Sequence, residues 1–218
     1  MSPACQIADR AVKVPRCTDP DYTKAILTIC REHSIKLVVP TIDTELQILS
    51  KHAGHFQELG CLLAISTSEA IQLSQDKFAT SKAVEEFGIP IPNSSMLLDF
   101  DPNSPCWKYP LIFKPNAGSN SQGLAWANTP QSIPEVESKT NYLVQECLQG
   151  TEYTTNCYFD QNGKLLAAVP HERVEVRGGE VSKAITRKIP QLEEFAHRIE
   201  AAKMGWKGPI CFQTIERD

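Results

Sequence analysis

Apolar residues recur along this chain at two different spacings, and the change comes near residue 75. In the segment DPDYTKAILTICREH, Ala25, Ile26, Ile29 and Cys30 fall on one side of a helix that Asp19 can cap and whose first turn accommodates Pro20. IKLVVP (35–40) follows as a nearly continuous apolar run, which predicts a short strand buried on both faces of a parallel sheet. Asp43 opens a second helix to about residue 59, with Leu46, Leu49, Ala53 and Phe56 at helical spacing, and CLLAI (61–65) reads as the next strand. Strand, helix and strand in this order predict half of a doubly wound α/β sheet. The leading segment, MSPACQIADRAVKVPR, reads as loop and weak strand, so the sheet is expected to lack its first buried strand.

Beyond Asp76 the pattern is different. A helix over DKFATSKAVEEFG stops at Gly88, and IPIPN then forces an extended connection. YPLIFKP (109–115), GLAWA (123–127) and NYLVQE (141–146) are extended runs that predict an antiparallel sheet. Asn162-Gly163, between EYTTNCYF and KLLAAVP, is the strongest hairpin signal, because both residues tolerate positive φ. A further hairpin is read to turn at Gly178-Gly179, and the helix PQLEEFAHRIEAAKMG places Leu192, Phe195, Ala196, Ile199 and Ala202 on one stripe facing the sheet. The expected organisation is α/β plus α+β, with a partial α/β domain over 1–75 and a second domain over 76–218.

Composition narrows the function more than the fold. The 218 residues are 41% hydrophobic with a formal net charge of -4, which argues against a general nucleic-acid binder needing a basic face. No apolar run reaches the roughly 18 residues of a membrane helix, and the start lacks a signal-peptide core, so a soluble cytoplasmic protein without membrane partners is expected. The eight cysteines include no C-x-x-C pair. Those in apolar runs, such as Cys61 and Cys211, are read as buried thiols acting as small hydrophobes.

The stretch IFKPNAGSNSQGL holds the most informative chemistry. A strand ending at Lys114 leads into a loop of small residues in which Gly118, Ser119, Ser121 and Gly123 let backbone N–H groups approach phosphate oxygens, while the lysine adds charge. Neither a P-loop nor a dinucleotide fingerprint is present, and alone the loop reads equally well as a polar hairpin connection. Its companions are Lys77 upstream, LVQECLQGTEYT downstream and CFQT near the end.

In this order the motifs resemble the ATP-grasp superfamily, particularly the branch similar to the carbamoyl phosphate synthase large subunit, and the likeness covers nearly the whole chain. It implies ATP held between two α+β subdomains, after an α/β domain that ends with IKLVVPTIDTELQIL. By this resemblance Lys77 lies near the phosphates, and Lys114 contacts phosphate and the adenine edge. The Gly118–Gly123 loop corresponds to a mobile lid, Glu146 and Leu148 to the adenine hinge acting through backbone groups, and Glu152 to the acceptor of ribose hydroxyls. VPHERVEVRGGEVSKAITRK carries Arg173, Arg177, Lys183, Arg187 and Lys188, a cationic cluster from which Arg173 is chosen as catalytic, holding the transferred phosphoryl group; a solvated hairpin face is the alternative. His171 is read as structural.

Gln213 matches a residue that helps bind Mg²⁺, while the family's E-x-N ligand motif does not occur before residue 218. The expectation is therefore a chain clipped at both ends. In intact form it would use ATP and Mg²⁺ to activate an unidentified carboxylate as an acyl phosphate for attack by an amine. The alternatives are a non-catalytic nucleotide-binding module and a carbamoyl phosphate synthase-like reaction, and the reading leaves a homodimer open.

Overall fold

The first apolar helix starts later than its sequence signals place it. In the computed structural model, which describes residues 3–118, 123–136 and 138–217, a short helix α1 (Ala4–Ile7) opens the segment expected to be loop and weak strand, residues 8–16 run on as loop without a strand, and α2 spans Tyr22–Glu32. Asp19 makes a tight turn ahead of α2 and does not cap it: its carboxylate accepts from the Asp21 N–H at 2.9 Å, which leaves Pro20 outside the helix. Strand β1 (Leu37–Val38), helices α3 (Asp43–Lys51) and α4 (Ala53–Glu58) and strand β2 (Leu62–Leu63) follow. The single helix expected over 43–59 breaks at His52, yet Leu49 and Phe56 both stay buried.

β1 and β2 pair in parallel, Leu37 with Leu62, as the alternation of elements predicts. Burial on both faces does not occur, because Leu37 is 53% and Leu62 52% exposed. Cys61, Leu63 and Ile65 are the buried positions, so this strand is one-sided. Burial, with the Cys61 thiol beside it, pushes the Cys30 thiol up to about 11.

The chain divides into two compact units, Met1–Ser68 and Glu69–Asp218. Helix α5 (Ser68–Gln75), which the sequence reading did not foresee, crosses the division. Asp76 then caps α6 (Lys77–Glu86) by accepting the Ala79 N–H at 2.7 Å, and Gly88 turns the chain away with φ of +72°. A first antiparallel sheet comprises β3 (Ser94–Met96), β4 (Leu111–Pro115), β5 (Ala125–Ala127) and β6 (Tyr142–Glu146), ordered β3-β6-β4-β5. Its core gathers Leu97, Leu111, Phe113, Ala127 and Val144.

The second antiparallel sheet is longer. It contains β7 (Thr151–Phe159), β8 (Leu165–Arg177), β9 (Glu180–Thr186) and β10 (Gly208–Glu216), ordered β10-β7-β8-β9. Gly163 turns β7 into β8 with positive φ, whereas both Gly178 and Gly179 are positive at the β8–β9 turn, as a type I′ hairpin requires. Helix α7 (Pro190–Ala201) buries Leu192, Phe195, Ala196 and Ile199 against Tyr153, Cys157 and Phe159; Ala202, expected on the same stripe, is its C-cap. Ile89, Val84 and Phe87 join this cluster, and Arg198 of α7 donates to the Gly88 carbonyl at 2.6 Å, so the helix that begins at Lys77 ends in the core of the second sheet.

None of the eight cysteines is in a disulfide, and burial raises the Cys157 thiol to about 12. Cys211, expected to be buried, is exposed, because on β10 it pairs with Asn156 on the face away from α7. Among the described residues no helix is long and apolar enough to cross a membrane.

Candidate functional site

Lys77 and Lys114 come from different elements and meet at the root of the small-residue loop. Lys77 opens α6, and its ammonium donates to the carbonyls of Pro115 (2.9 Å), Asn116 (3.3 Å) and Gly118 (2.8 Å). Lys114 sits within β4 and donates to Gln145 Oε1 at 2.8 Å. Burial lowers the proton affinity of both ammonium groups. The charge of Lys77 lowers Lys114 further, while Asp76 works against the shift at Lys77. Two neighbouring cations short of solvation, neither in a salt bridge among the described residues, form a site that an anion would relieve. Gly118 leaves β4 with φ of +102°, and Gly123 returns with φ of +69°, where a Cβ would lie 2.9 Å from the Tyr142 hydroxyl. Ser119 and Ser121 lie outside the described residues.

Strand register separates Gln145 and Glu146 by face. Ile112 pairs with Gln145, so Ile112, Lys114 and Gln145 share one face of the first sheet, whereas Glu146 pairs with Leu111 and points to the other. There its carboxylate accepts from the Lys108 N–H at 3.0 Å, and its own N–H donates to the Asn93 carbonyl. Any contribution of Glu146 on the lysine side is therefore made by its backbone. Leu148 lies in the short link 147–150, and among the described residues its N–H has no hydrogen-bond partner. A cleft of about 380 Å³ borders this link, lined by Lys108, Pro110, Glu146, Leu148 and Arg217 among others.

On the second sheet, Glu152, Thr154, Arg173 and Gln213 share the face opposite α7, as the β7–β10 and β7–β8 registers dictate. Arg173 donates to Glu152 Oε2 (3.2 Å), Thr154 Oγ1 (3.1 Å) and the Gly179 carbonyl (3.1 Å). Its side chain is 7% exposed against 51% for Glu152. Arg173 is thus a buried clamp whose guanidinium is largely engaged, and Glu152 keeps its second oxygen free of hydrogen bonds from the described residues. The expected cationic cluster does not exist as such. Glu175 pairs with both Arg177 and Lys183, and Glu172 with Arg187, because the acidic residues of β8 alternate with its basic ones. His171 lies beside Asn156 at 3.2 Å.

Comparison with known proteins identifies the frame that these residues occupy. The ATP-grasp domain family model matches residues 74–208, well over half of the chain. The chain belongs to the ATP-grasp family. A second model, the PylC-like N-terminal domain, matches residues 1–64 ahead of the ATP-grasp region. Among curated proteins, a probable alpha-L-glutamate ligase of Legionella pneumophila is 28% identical over 164 residues, covering 68% of this chain and 53% of its own length.

Two solved structures share the ATP-grasp fold. Campylobacter jejuni biotin carboxylase in a β,γ-ATP complex has a TM-score of 0.72 at 14% identity, covering 99% of this chain and 54% of its own. An L-amino acid ligase from Bacillus licheniformis has a TM-score of 0.67 at 16% identity, covering 96% and 53%. The chain thus spans about half the length of the relatives it matches.

Within this ATP-grasp frame the structure brings Lys77, Lys114 and Gly118 together at one place and Glu152 and Arg173 at another, with Gln213 one strand away from Thr154. Three neutral residues that touch these groups went unnoticed in the sequence: Gln145, Asn116 and Thr154. The polar groups fit a nucleotide, combining two lysine ammonium groups, the Leu148 N–H without a partner among the described residues, and a carboxylate oxygen of Glu152. The set for Mg²⁺ does not fit by itself, since Gln213 offers one neutral oxygen and no group of three or more His, Cys, Asp or Glu is placed to hold a metal among the described residues.

Proposed function

We propose that this ATP-grasp chain binds ATP in order to activate a carboxylate for condensation with an amine. The carrying observation is the pair of half-buried ammonium groups, Lys77 and Lys114, at the root of the Gly118–Gly123 loop. In this reading the two lysines neutralise the triphosphate, the hinge at Leu148 pairs with adenine, and the free oxygen of Glu152 accepts from the ribose. A carboxylate oxygen attacks the γ-phosphorus, the bond to the β,γ-bridging oxygen breaks, and ADP departs with that electron pair. The amine then attacks the acyl carbon, the acyl C–O bond breaks with its electron pair going to the departing phosphate, and the nitrogen gives up a proton to phosphate or solvent. Mg²⁺ bound with the nucleotide would supply further charge neutralisation at the phosphates. Arg173 serves this site by holding Glu152; a direct contact with the transferred phosphoryl group would use the guanidinium N–H groups that remain. The reading assigns 1–75 to the preceding α/β domain and 76–218 to ATP binding, supported by family models that part between residues 64 and 74.

The test is ATP affinity by calorimetry, together with ADP release across a panel of amino acids. Lys114→Ala is expected to weaken ATP about 10- to 100-fold, the loss of charge-assisted bonds worth about 1.5–3 kcal/mol. Unchanged affinity in that variant overturns the site. ATP binding with no ADP release across the panel favours the non-catalytic module.

A further inference from the structure

We infer that Asn116 is a positioning residue that sets Lys77 against the phosphates, an inference that rests on the reading of Lys77 as a phosphate-binding group. The N-terminus of α6 would be a natural anion site, but its donors are already taken. The Lys77 N–H donates to the Asn116 carbonyl (3.1 Å), the Phe78 N–H to Asn116 Oδ1 (2.9 Å) and the Ala79 N–H to Asp76 Oδ1 (2.7 Å). Anion recognition at this end therefore falls to the Lys77 side chain.

That ammonium has three N–H groups and faces three carbonyls, those of Pro115, Asn116 and Gly118. The first two are fixed by the sheet: Pro115 ends β4, and the Asn116 N–H donates to the Asn141 carbonyl at 2.7 Å. Gly118 stands on the loop itself, so a phosphate oxygen can take its place while Pro115 and Asn116 keep the ammonium aimed. Asn116 is bound on every side of this junction, by its N–H to the residue preceding β6, by its carbonyl to both nitrogens of Lys77, and by its side chain to Phe78. Its amide oxygen does this as a neutral acceptor, adding no negative charge where a triphosphate must sit. A carboxylate at the same place would hold the helix equally well and compete with the phosphates for Lys77.

The experiment is a double-mutant cycle of Asn116→Ala and Lys77→Ala, with ATP and AMP affinities by calorimetry and amide exchange at Phe78. Asn116→Ala is expected to weaken ATP about tenfold, to leave AMP nearly unchanged and to speed exchange of the Phe78 N–H. The double variant should bind ATP no more weakly than Lys77→Ala alone. Asn116→Asp should keep Phe78 protected and still weaken ATP by its charge, and Asn116→Leu, which removes the acceptor at similar volume, carries the same cycle if the alanine variant does not fold. Fully additive losses, equal weakening of ATP and AMP, or unchanged Phe78 exchange in Asn116→Ala overturn the inference. Should Lys77→Ala itself leave ATP affinity unchanged, the phosphate assignment of Lys77 falls; should it weaken ATP while Asn116→Ala does not, only the role of Asn116 falls.

Discussion

Lys114 is the residue at which the physical chemistry of the site is most exposed to test. Burial and the nearby charge of Lys77 both lower its proton affinity, so it loses its proton at a lower pH than an ordinary lysine. In the unfolded chain it remains protonated across the interval between the lowered and the ordinary value. The unfolded state binds more protons there, and stability from this group rises with pH; below the interval the burial cost is present in full. Nucleotide affinity should run the opposite way, falling as pH rises through the lowered value of Lys114, because the neutral amine no longer attracts phosphate. Calorimetry in buffers of different ionisation enthalpy should show proton uptake on ATP binding at a pH where Lys114 is partly neutral, and Lys114→Arg should reduce both the uptake and the pH slope to the share that Lys77 carries. A pH-independent affinity in the wild-type chain would refute this account. Lys114 was legible in the sequence because a charge beside a glycine loop is an unusual pairing. Gln145, Asn116 and Thr154 were not, since neutral amides and hydroxyls acquire meaning only from the donors that folding places beside them.

At the scale of elements, the second sheet was legible in outline because alternation and turn chemistry agree along it. The Gly178-Gly179 turn and the buried stripe of α7 are both readable in the sequence. The short strands of the first unit were overestimated, since a continuous apolar run cannot distinguish a strand buried on both faces from one whose Leu37 and Leu62 face outward. β3 was missed because SSM carries no apolar alternation. Gly150 shows what the sequence could not carry: at φ of +149°, a Cβ there would meet the Glu216 carbonyl oxygen at 1.9 Å, a close approach between the start of β7 and the end of β10. Gly150→Ala is therefore expected to destabilise by at least about 2 kcal/mol, through backbone strain and displacement of that strand pair. Gly54→Ala is the contrasting case. It lies in α4 with nothing within 4 Å of a Cβ, and should stabilise by about 0.5 kcal/mol. Denaturant midpoints at constant slope measure both, and a neutral Gly150→Ala would show that the β7–β10 junction yields freely.

For the whole molecule, the division into Met1–Ser68 and Glu69–Asp218 makes ligand linkage a spatially resolved experiment. Every residue assigned to the nucleotide lies in the second unit, and so do all three tryptophans, Trp107, Trp126 and Trp206. A ligand that binds only the folded state stabilises it by mass action, by about 2.7 kcal/mol at one hundred times its dissociation constant. For a unit of this size each kcal/mol raises the midpoint by roughly 2–4 °C, so saturating ATP should shift the tryptophan-reported transition upward by roughly 5–10 °C. Amide exchange should slow in α6, β4 and β6, where Lys77, Lys114 and Gln145 reside, while exchange over residues 3–68 stays as it was. AMP, which lacks the phosphates that the two lysines are proposed to meet, should produce a much smaller shift. A transition that ATP and AMP raise equally would place the binding energy at the base and ribose, and would remove the lysine pair from the centre of the site.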